Sequence, residues 1–252
     1  MKTDGLLDYQ IAPAAQLVAA LRRHGVAIDG SDMGTGKTFQ ACAAIRELDV
    51  HTLVVCPRIS MAGWRNAGKL LDVEFDICNY ELLRMGTTPF GQWDAPRPKT
   101  LQGAFICSQC QRGYPLTSLY HALEPCPYHQ AGIHCLEIRK VPHRHGRFNW
   151  HTGIKLLVFD EIHRCTASPL SLNAHLLVAA KRQGIPTLGL SATLGETPLH
   201  FHALGYLLGL HNLTNFYAWA SSMGCVRVPH LGRGLHFLVG DERKRRSEEH
   251  TS

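Results

Sequence analysis

Three observations predict an α/β chain built on a doubly wound parallel sheet. Short apolar runs alternate with helical patterns along most of the 252 residues, as in sheets covered by helices on both faces. The first run leads into the turn Ser31-Asp32-Met33-Gly34-Thr35-Gly36-Lys37-Thr38 and then a helix, the strand–loop–helix order of a phosphate-cradling loop. A later run from Lys155 to Phe159 ends in Asp160-Glu161. That places two carboxylates at the C-terminal tip of a buried strand, where ligands sit in open α/β sheets.

Each element follows from its own pattern. Strands are expected over 26–30, 52–56, 76–79, 156–160 and 187–190, where apolar residues run almost unbroken. Helices are expected over 12–23, 37–48, 61–71, 170–182 and 198–208, from apolar spacing near 3.6 residues. No internal repeat is present. Residues 86–150 interrupt the alternation, opening with Gly86, Pro89, Gly91, Pro96 and Pro98. They read as an insertion that divides one domain into 1–85 and 151–245.

The turn's residue types match phosphate chemistry. Gly34 and Gly36 let the backbone curl so that its N–H groups face phosphates. The next helix points its positive end at the same place. Lys37 can reach β- and γ-phosphates, and the Thr38 hydroxyl can hold Mg²⁺. Ser31 stands where the usual pattern has its first glycine. At the other tip, Asp160 suits Mg²⁺ through its water shell, and Glu161 suits polarising the attacking water. A plain turn and an acidic surface pair are the competing readings, and the spacing of about 120 residues disfavours both.

Taken in order, these segments resemble the N-terminal RecA-like ATPase lobe of superfamily 2 helicases and translocases, over roughly residues 6–225. Asp32-Met33-Gly34-Thr35-Gly36-Lys37-Thr38 resembles motif I in its Swi/Snf-type form, and Asp160-Glu161-Ile162-His163 resembles motif II. Ser191-Ala192-Thr193 resembles motif III, in a form commoner outside the Swi/Snf branch. Leu6-Leu7-Asp8-Tyr9-Gln10 is similar to the adenine-reading segment. Thr52 to Arg58, followed by Trp64, is similar to motif Ia, and Asn79-Tyr80-Glu81 to the stretch near motif Ib. The resemblance implies that Gln10 reads adenine and that Gly34, Thr35, Gly36, Lys37 and Thr38 hold ATP. It implies catalysis by Lys37, Asp160 and Glu161, with Mg²⁺ on Thr38 and Asp160. His163 would sense the nucleotide and, with Ser191 and Thr193, couple it to nucleic acid, while Pro57 and Arg58 would meet the phosphodiester backbone. It also implies a second RecA-like lobe in cis that completes the ATP site with an arginine. The chain therefore reads as truncated before that lobe, with near-background ATPase expected of residues 1–245 alone.

The insertion carries a separate signal. Cys107-Ser-Gln-Cys110 and Cys126-Pro-Tyr-His129 form two pairs with fifteen residues between them, a spacing that suits a small zinc ribbon. Each pair curls into a knuckle presenting two ligands, and two knuckles complete a tetrahedron for Zn²⁺. Cys135 or His134 can replace His129 as the fourth ligand. The bland reading makes Cys107 and Cys110 small apolar residues on a hairpin. Arg139, Lys140, Arg144 and Arg147 follow and either touch phosphates or merely flank a structural zinc. Cys42, Cys56, Cys78, Cys165 and Cys225 fall in strand or helix patterns and are expected to pack as small hydrophobes.

Composition sets wide bounds. The net charge is +6, from 26 basic and 20 acidic residues, with 45% hydrophobic residues; this suits contact with a polyanion without requiring it. No run of about 18 apolar residues occurs and residues 1–4 lack a signal-peptide core, so a cytoplasmic chain of bacterial or viral type, without membrane contact, is expected. Residues 246–252, Arg-Ser-Glu-Glu-His-Thr-Ser, back-translate into a sequencing adapter and read as an artefact. Two functional classes follow: an ATP-driven helicase or translocase on nucleic acid, chiefly double-stranded DNA, or a non-catalytic binding module built on a phosphate-loop lobe.

Overall fold

The computed structural model describes residues 2–84, 88–94, 104–107, 113–115, 136–139, 146–166, 171–227 and 235–237. Met1–Gln92 and Phe148–Ser252 form one compact unit, and Trp93–Arg147 a second.

In chain order the strands are β1 (Val26–Asp29), β2 (Thr52–Cys56), β3 (Asp76–Asn79), β4 (Gly91–Trp93), β5 (Ala104–Cys107) and β6 (Gly113–Pro115). They continue with β7 (Leu136–Arg139), β8 (Phe148–Trp150), β9 (Leu156–Asp160), β10 (Thr187–Leu190), β11 (Cys225–Arg227) and β12 (Leu235–Phe237). The helices are α1 (Asp8–His24), α2 (Lys37–Leu48), α3 (Met61–Leu71), α4 (Tyr80–Leu83), α5 (Leu172–Arg182), α6 (His202–Leu208) and α7 (Phe216–Ser222).

The first unit is organised by a five-stranded sheet in the order β1-β10-β9-β2-β3, all of it parallel. Its strands read as continuous apolar runs because both faces are covered; every residue of β2 and of β10 is buried. Alternate side chains serve opposite faces. Val54, Val158, Leu188 and Leu190 join Leu17, Leu21, Ala41, Ile45, Trp64 and Leu71 in one core beneath α1, α2 and α3. On the other face Phe159 meets Trp150, whose indole N–H donates 3.1 Å to the Leu176 carbonyl of α5. The central sheet and its two helical layers fit a RecA-like fold.

Element boundaries depart from expectation at identifiable places. Helix α1 starts four residues early, because the Gln10 side chain accepts from the Leu7 N–H at 3.0 Å and closes the first turn. Pro13 therefore lies inside the helix rather than at its start. Strand β1 stops at Asp29, whose carboxylate turns back to accept from the Ser31 N–H. Helix α5 starts at Leu172, capped by Ser171 Oγ on the Ala174 N–H. The helix expected over 198–208 is a 3₁₀ turn, Pro198–Phe201, running into α6. Helices α4 and α7 and the antiparallel pair β11·β12 were not expected.

The insertion boundary also shifts. Phe148–Trp150, expected inside it, pairs with β4 and buries Phe148 and Trp150 against the first unit's core. Within the second unit, β5 pairs antiparallel with both β6 and β7. Cys110, Cys126, His129 and Cys135 lie outside the described residues, as do 246–252. Among the described residues no group of three or more His, Cys, Asp or Glu could hold a metal ion. Cys42, Cys56, Cys78, Cys165 and Cys225 are free and buried; burial pushes the Cys42 and Cys56 thiols up to about 12, so they pack as hydrophobes. Among the described residues no helix is long and apolar enough to cross a membrane.

Candidate functional site

The site lies along the C-terminal edge of the parallel sheet. Strands β1, β9 and β10 end in Asp29, Asp160 and Leu190, and β2 in Cys56, so the loops that follow converge on one side.

The loop after β1 is shaped by its own polar groups. Gly34 and Gly36 have φ of 81° and 82°, a left-handed conformation that costs an L side chain roughly 1–2 kcal/mol. A Cβ on Gly36 would also run into the Gln10 amide. The Thr35 carbonyl accepts from both Gln10 Nε2 (3.3 Å) and Gln40 Nε2 (3.1 Å). Lys37 Nζ donates to the Ser31 and Asp32 carbonyls, each at 2.8 Å, which centres its ammonium in the mouth of the loop. The residue replacing the first glycine is absorbed locally. Ser31 N–H donates to Asp29 Oδ1 at 3.0 Å, and Ser31 Oγ lies 2.8 Å from Thr35 Oγ1. Thr38 is the second residue of α2, whose twelve residues direct an N-terminus without a side-chain cap at the loop. A cationic amine, curled N–H groups and a helix N-terminus together fit a polyphosphate.

The second cluster surrounds β9's tip. Trp64 Nε1–H donates to Asp160 Oδ2 at 2.9 Å, and the Tyr80 hydroxyl donates to the Asp160 carbonyl at 2.7 Å. Burial pushes the Asp160 carboxyl up, and the Trp64 N–H opposes that shift. Burial likewise raises Tyr80 well above the ordinary tyrosine range, which keeps it a hydroxyl donor. A partly buried carboxylate with one oxygen fixed by a donor fits a divalent cation's water shell.

A third cluster joins the strand tips of β9 and β10. Glu161 has φ 55°, strained for a non-glycine residue, which turns its side chain toward His163 and Ser191. Glu161 Oε2 lies 3.1 Å from His163 Nδ1 and 3.5 Å from Ser191 Oγ. His163 Nδ1 lies 2.9 Å from Ser191 Oγ. Ser191, almost fully buried, also donates to the Thr193 carbonyl at 2.7 Å and accepts from the Thr193 N–H. Ser191 thus stands between Glu161 and the exposed Thr193.

The structure brings the predicted residues into three groups. Gln10, Thr35, Gly36 and Lys37 form the first, and Glu161, His163, Ser191 and Thr193 the last. Asp160 is engaged by Trp64 and Tyr80, and also by its neighbour Glu161 and the Ser60 side chain. Pro57 is buried, whereas Arg58 beside it, on a 3₁₀ turn, is exposed. Gln40, Asp29, Trp64 and Tyr80 were not foreseen as site residues. Trp64 and Tyr80 lay within the recognised segments, but their hydrogen bonds cross 96 and 80 residues, which spacing cannot reveal.

The fold and these groups describe an α/β lobe whose glycine-bearing loop fits a phosphate and lies on the same sheet edge as a carboxylate-tipped strand. No family profile matches the chain. It is 28% identical over 224 residues to a protein of Acanthamoeba polyphaga mimivirus named "Putative ATP-dependent RNA helicase". The match covers 84% of this chain and 35% of that protein, so the chain spans about a third of its relative's length. The likeness and the parallel sheet support a helicase-like ATPase lobe.

Proposed function

We propose that this chain is the ATP-binding lobe of a longer ATP-dependent enzyme that moves on or unwinds nucleic acid. The observation that carries the reading is the convergence of Lys37, Asp160 and Glu161 on one sheet edge, with Ser191 placed between Glu161 and Thr193. In this reading Lys37 holds the β- and γ-phosphates, and Thr38 and Asp160 hold Mg²⁺. Gln10 reads adenine with the amide hydrogen and lone pair left after its bonds to Thr35 and Leu7. Glu161 accepts the proton of the attacking water. His163, Ser191 and Thr193 pass the resulting change to the surface that meets nucleic acid, with Arg58 on the backbone. A second lobe, which the relative's greater length can accommodate, supplies the arginine worth roughly 10³-fold in phosphoryl transfer.

Two features point to different nucleic acids. The Met33-Gly34-Thr35-Gly36-Lys37-Thr38 form favours the Swi/Snf-type branch and duplex DNA. Ser191-Ala192-Thr193 and the relative's name favour RNA. We place DNA first, and competition between duplex DNA and single-stranded RNA for the chain at fixed salt decides between them.

The test of the nucleotide reading is fluorescent-ATP binding. Wild-type chain binds and Lys37→Ala loses at least about tenfold in affinity, as expected when a charge-assisted phosphate contact of about 1.5–3 kcal/mol goes. Equal binding by both proteins would sink the proposal and favour a non-catalytic module. Zinc at Cys107, Cys110, Cys126 and His129 is proposed from spacing alone. Elemental analysis should find one Zn²⁺ per chain, lost in Cys110→Ser; metal-free wild-type chain would remove the idea.

A further inference from the structure

Asp160 is held from two sides by residues to which nucleotide binding assigns no part. The Trp64 indole N–H fixes one carboxylate oxygen, and the Tyr80 hydroxyl fixes the main-chain carbonyl of the same residue, at 2.9 and 2.7 Å. We propose that Trp64 and Tyr80 are positioning residues that set the Asp160 carboxylate for a divalent cation arriving with nucleotide. The proposal rests on the nucleotide-binding reading above.

The geometry supports a clamp rather than incidental packing. An indole nitrogen can only donate, so the contact is satisfied only while Oδ2 remains an acceptor. It cannot invert, as a hydroxyl could. Both donors are fixed in turn. Trp64 is 1% exposed and meets Phe75 edge-on at 5.8 Å. Tyr80 is fully buried, lies 6.4 Å from the Phe159 ring and carries the Arg164 guanidinium 5.9 Å above its face. One bond removes rotation of the carboxylate, and the other pins the last residue of β9. The ordering cost is therefore met on folding rather than on binding the cation. At position 80 packing alone would be served by phenylalanine, which keeps the ring and loses only the O–H that reaches Asp160.

The experiment compares fluorescent-ADP affinity of the 252-residue chain in Mg²⁺ and in EDTA. The ratio of the two affinities isolates the cation's contribution, and Asp160→Asn sets its floor. Trp64→Phe is expected to lower the ratio about tenfold, as for groups that orient metal ligands, with affinity in EDTA kept within about twofold. Tyr80→Phe should move it in the same direction by less. Phe75→Leu loosens the packing of Trp64 while keeping its N–H, and should lower the ratio by less than Trp64→Phe. Wild-type ratios in both Trp64→Phe and Tyr80→Phe would overturn the proposal, as would an equal fall in Phe75→Leu. Should Trp64→Phe fail to fold, Tyr80→Phe decides, since it keeps ring and volume. A wild-type ratio no larger than that of Asp160→Asn would overturn the clamp while leaving nucleotide binding standing. Absence of any wild-type binding would overturn the nucleotide reading and this inference with it.

Discussion

Gly36 concentrates three demands at one residue. Its φ of 82° needs a residue without a Cβ, its carbonyl accepts from the Phe39 and Gln40 N–H groups, and the Gln10 amide occupies the space a side chain would take. Gly36→Ala therefore combines a left-handed strain of about 1–2 kcal/mol with displacement of Gln10. It should lower the melting temperature and abolish fluorescent-ATP binding; an unchanged melting curve would contradict the loop geometry. Asp160 makes the opposite trade. Burial raises its carboxyl, so the folded state is penalised as pH rises through the carboxylate range and the group ionises. Asp160→Asn keeps an acceptor for Trp64 and removes that charge. It should raise the melting temperature at neutral pH while losing Mg²⁺-dependent nucleotide affinity. A variant less stable than wild type across pH 6–8 would show that the carboxylate is not penalised.

At the level of elements, β8 shows how a short strand holds its place. Trp150 presents its N–H to Gln183 Oε1 and its carbonyl to Gln183 Nε2, both at 2.8 Å, so a side-chain amide supplies what a neighbouring strand would. Its indole is buried against Phe148, Phe159 and the Leu176 carbonyl. Trp150→Ala should cost about 3–5 kcal/mol in urea unfolding, the range for truncating a buried tryptophan. Gln183→Ala strands two backbone groups and should cost about 1–3 kcal/mol. The two costs should fall short of additive, because both variants release the same strand; strict additivity would show that the amide and the indole act separately.

Across the whole sheet, the two edges have separate work. The residues proposed to meet nucleotide gather at the C-terminal ends of the strands, while a polar tie closes the opposite edge. His51 Nε2 meets Asp76 Oδ2 at 2.8 Å, at the start of β3, and Nδ1 meets the Gly153 carbonyl at 3.0 Å, ahead of β9. The Asp76 hydrogen bond, then the Gly153 carbonyl, raise the His51 pKa above its ordinary value. A histidine raised on folding contributes stability that is fully present below its unfolded pKa and lost as pH rises through the folded one. Wild-type chain should therefore exceed His51→Gln in stability most below pH about 6.5, with the gap closing toward alkaline pH. Both side chains are about half exposed, so screening keeps the gap within about 1 kcal/mol. Nucleotide affinity of His51→Gln should match wild type, since the tie lies at the far edge; a gap that widens with pH would refute the assignment.

Much of this architecture was legible from local pattern. Strands β2, β3, β9 and β10 were expected at their observed bounds, as were α2 and α3, because a strand buried on both faces reads as an unbroken apolar run. The loop glycines and the Asp-Glu pair were visible for the same reason: their chemistry is contained within a few consecutive residues. What stayed hidden depends on partners distant in the chain. Helix α7 and the pair β11·β12 lack a strong period of their own; α7 and Cys225 share a small separate core of Phe216, Ala220 and Cys225. Phe148–Trp150 looked like insertion until Gln183, 33 residues on, satisfied its backbone. Composition and spacing were enough to nominate the groups proposed to meet phosphate and cation. Which groups orient them, Trp64 and Tyr80 on Asp160 and Gln40 on Thr35, followed only from chain topology, since a hydrogen bond needs an angle and a distance that no local residue order encodes.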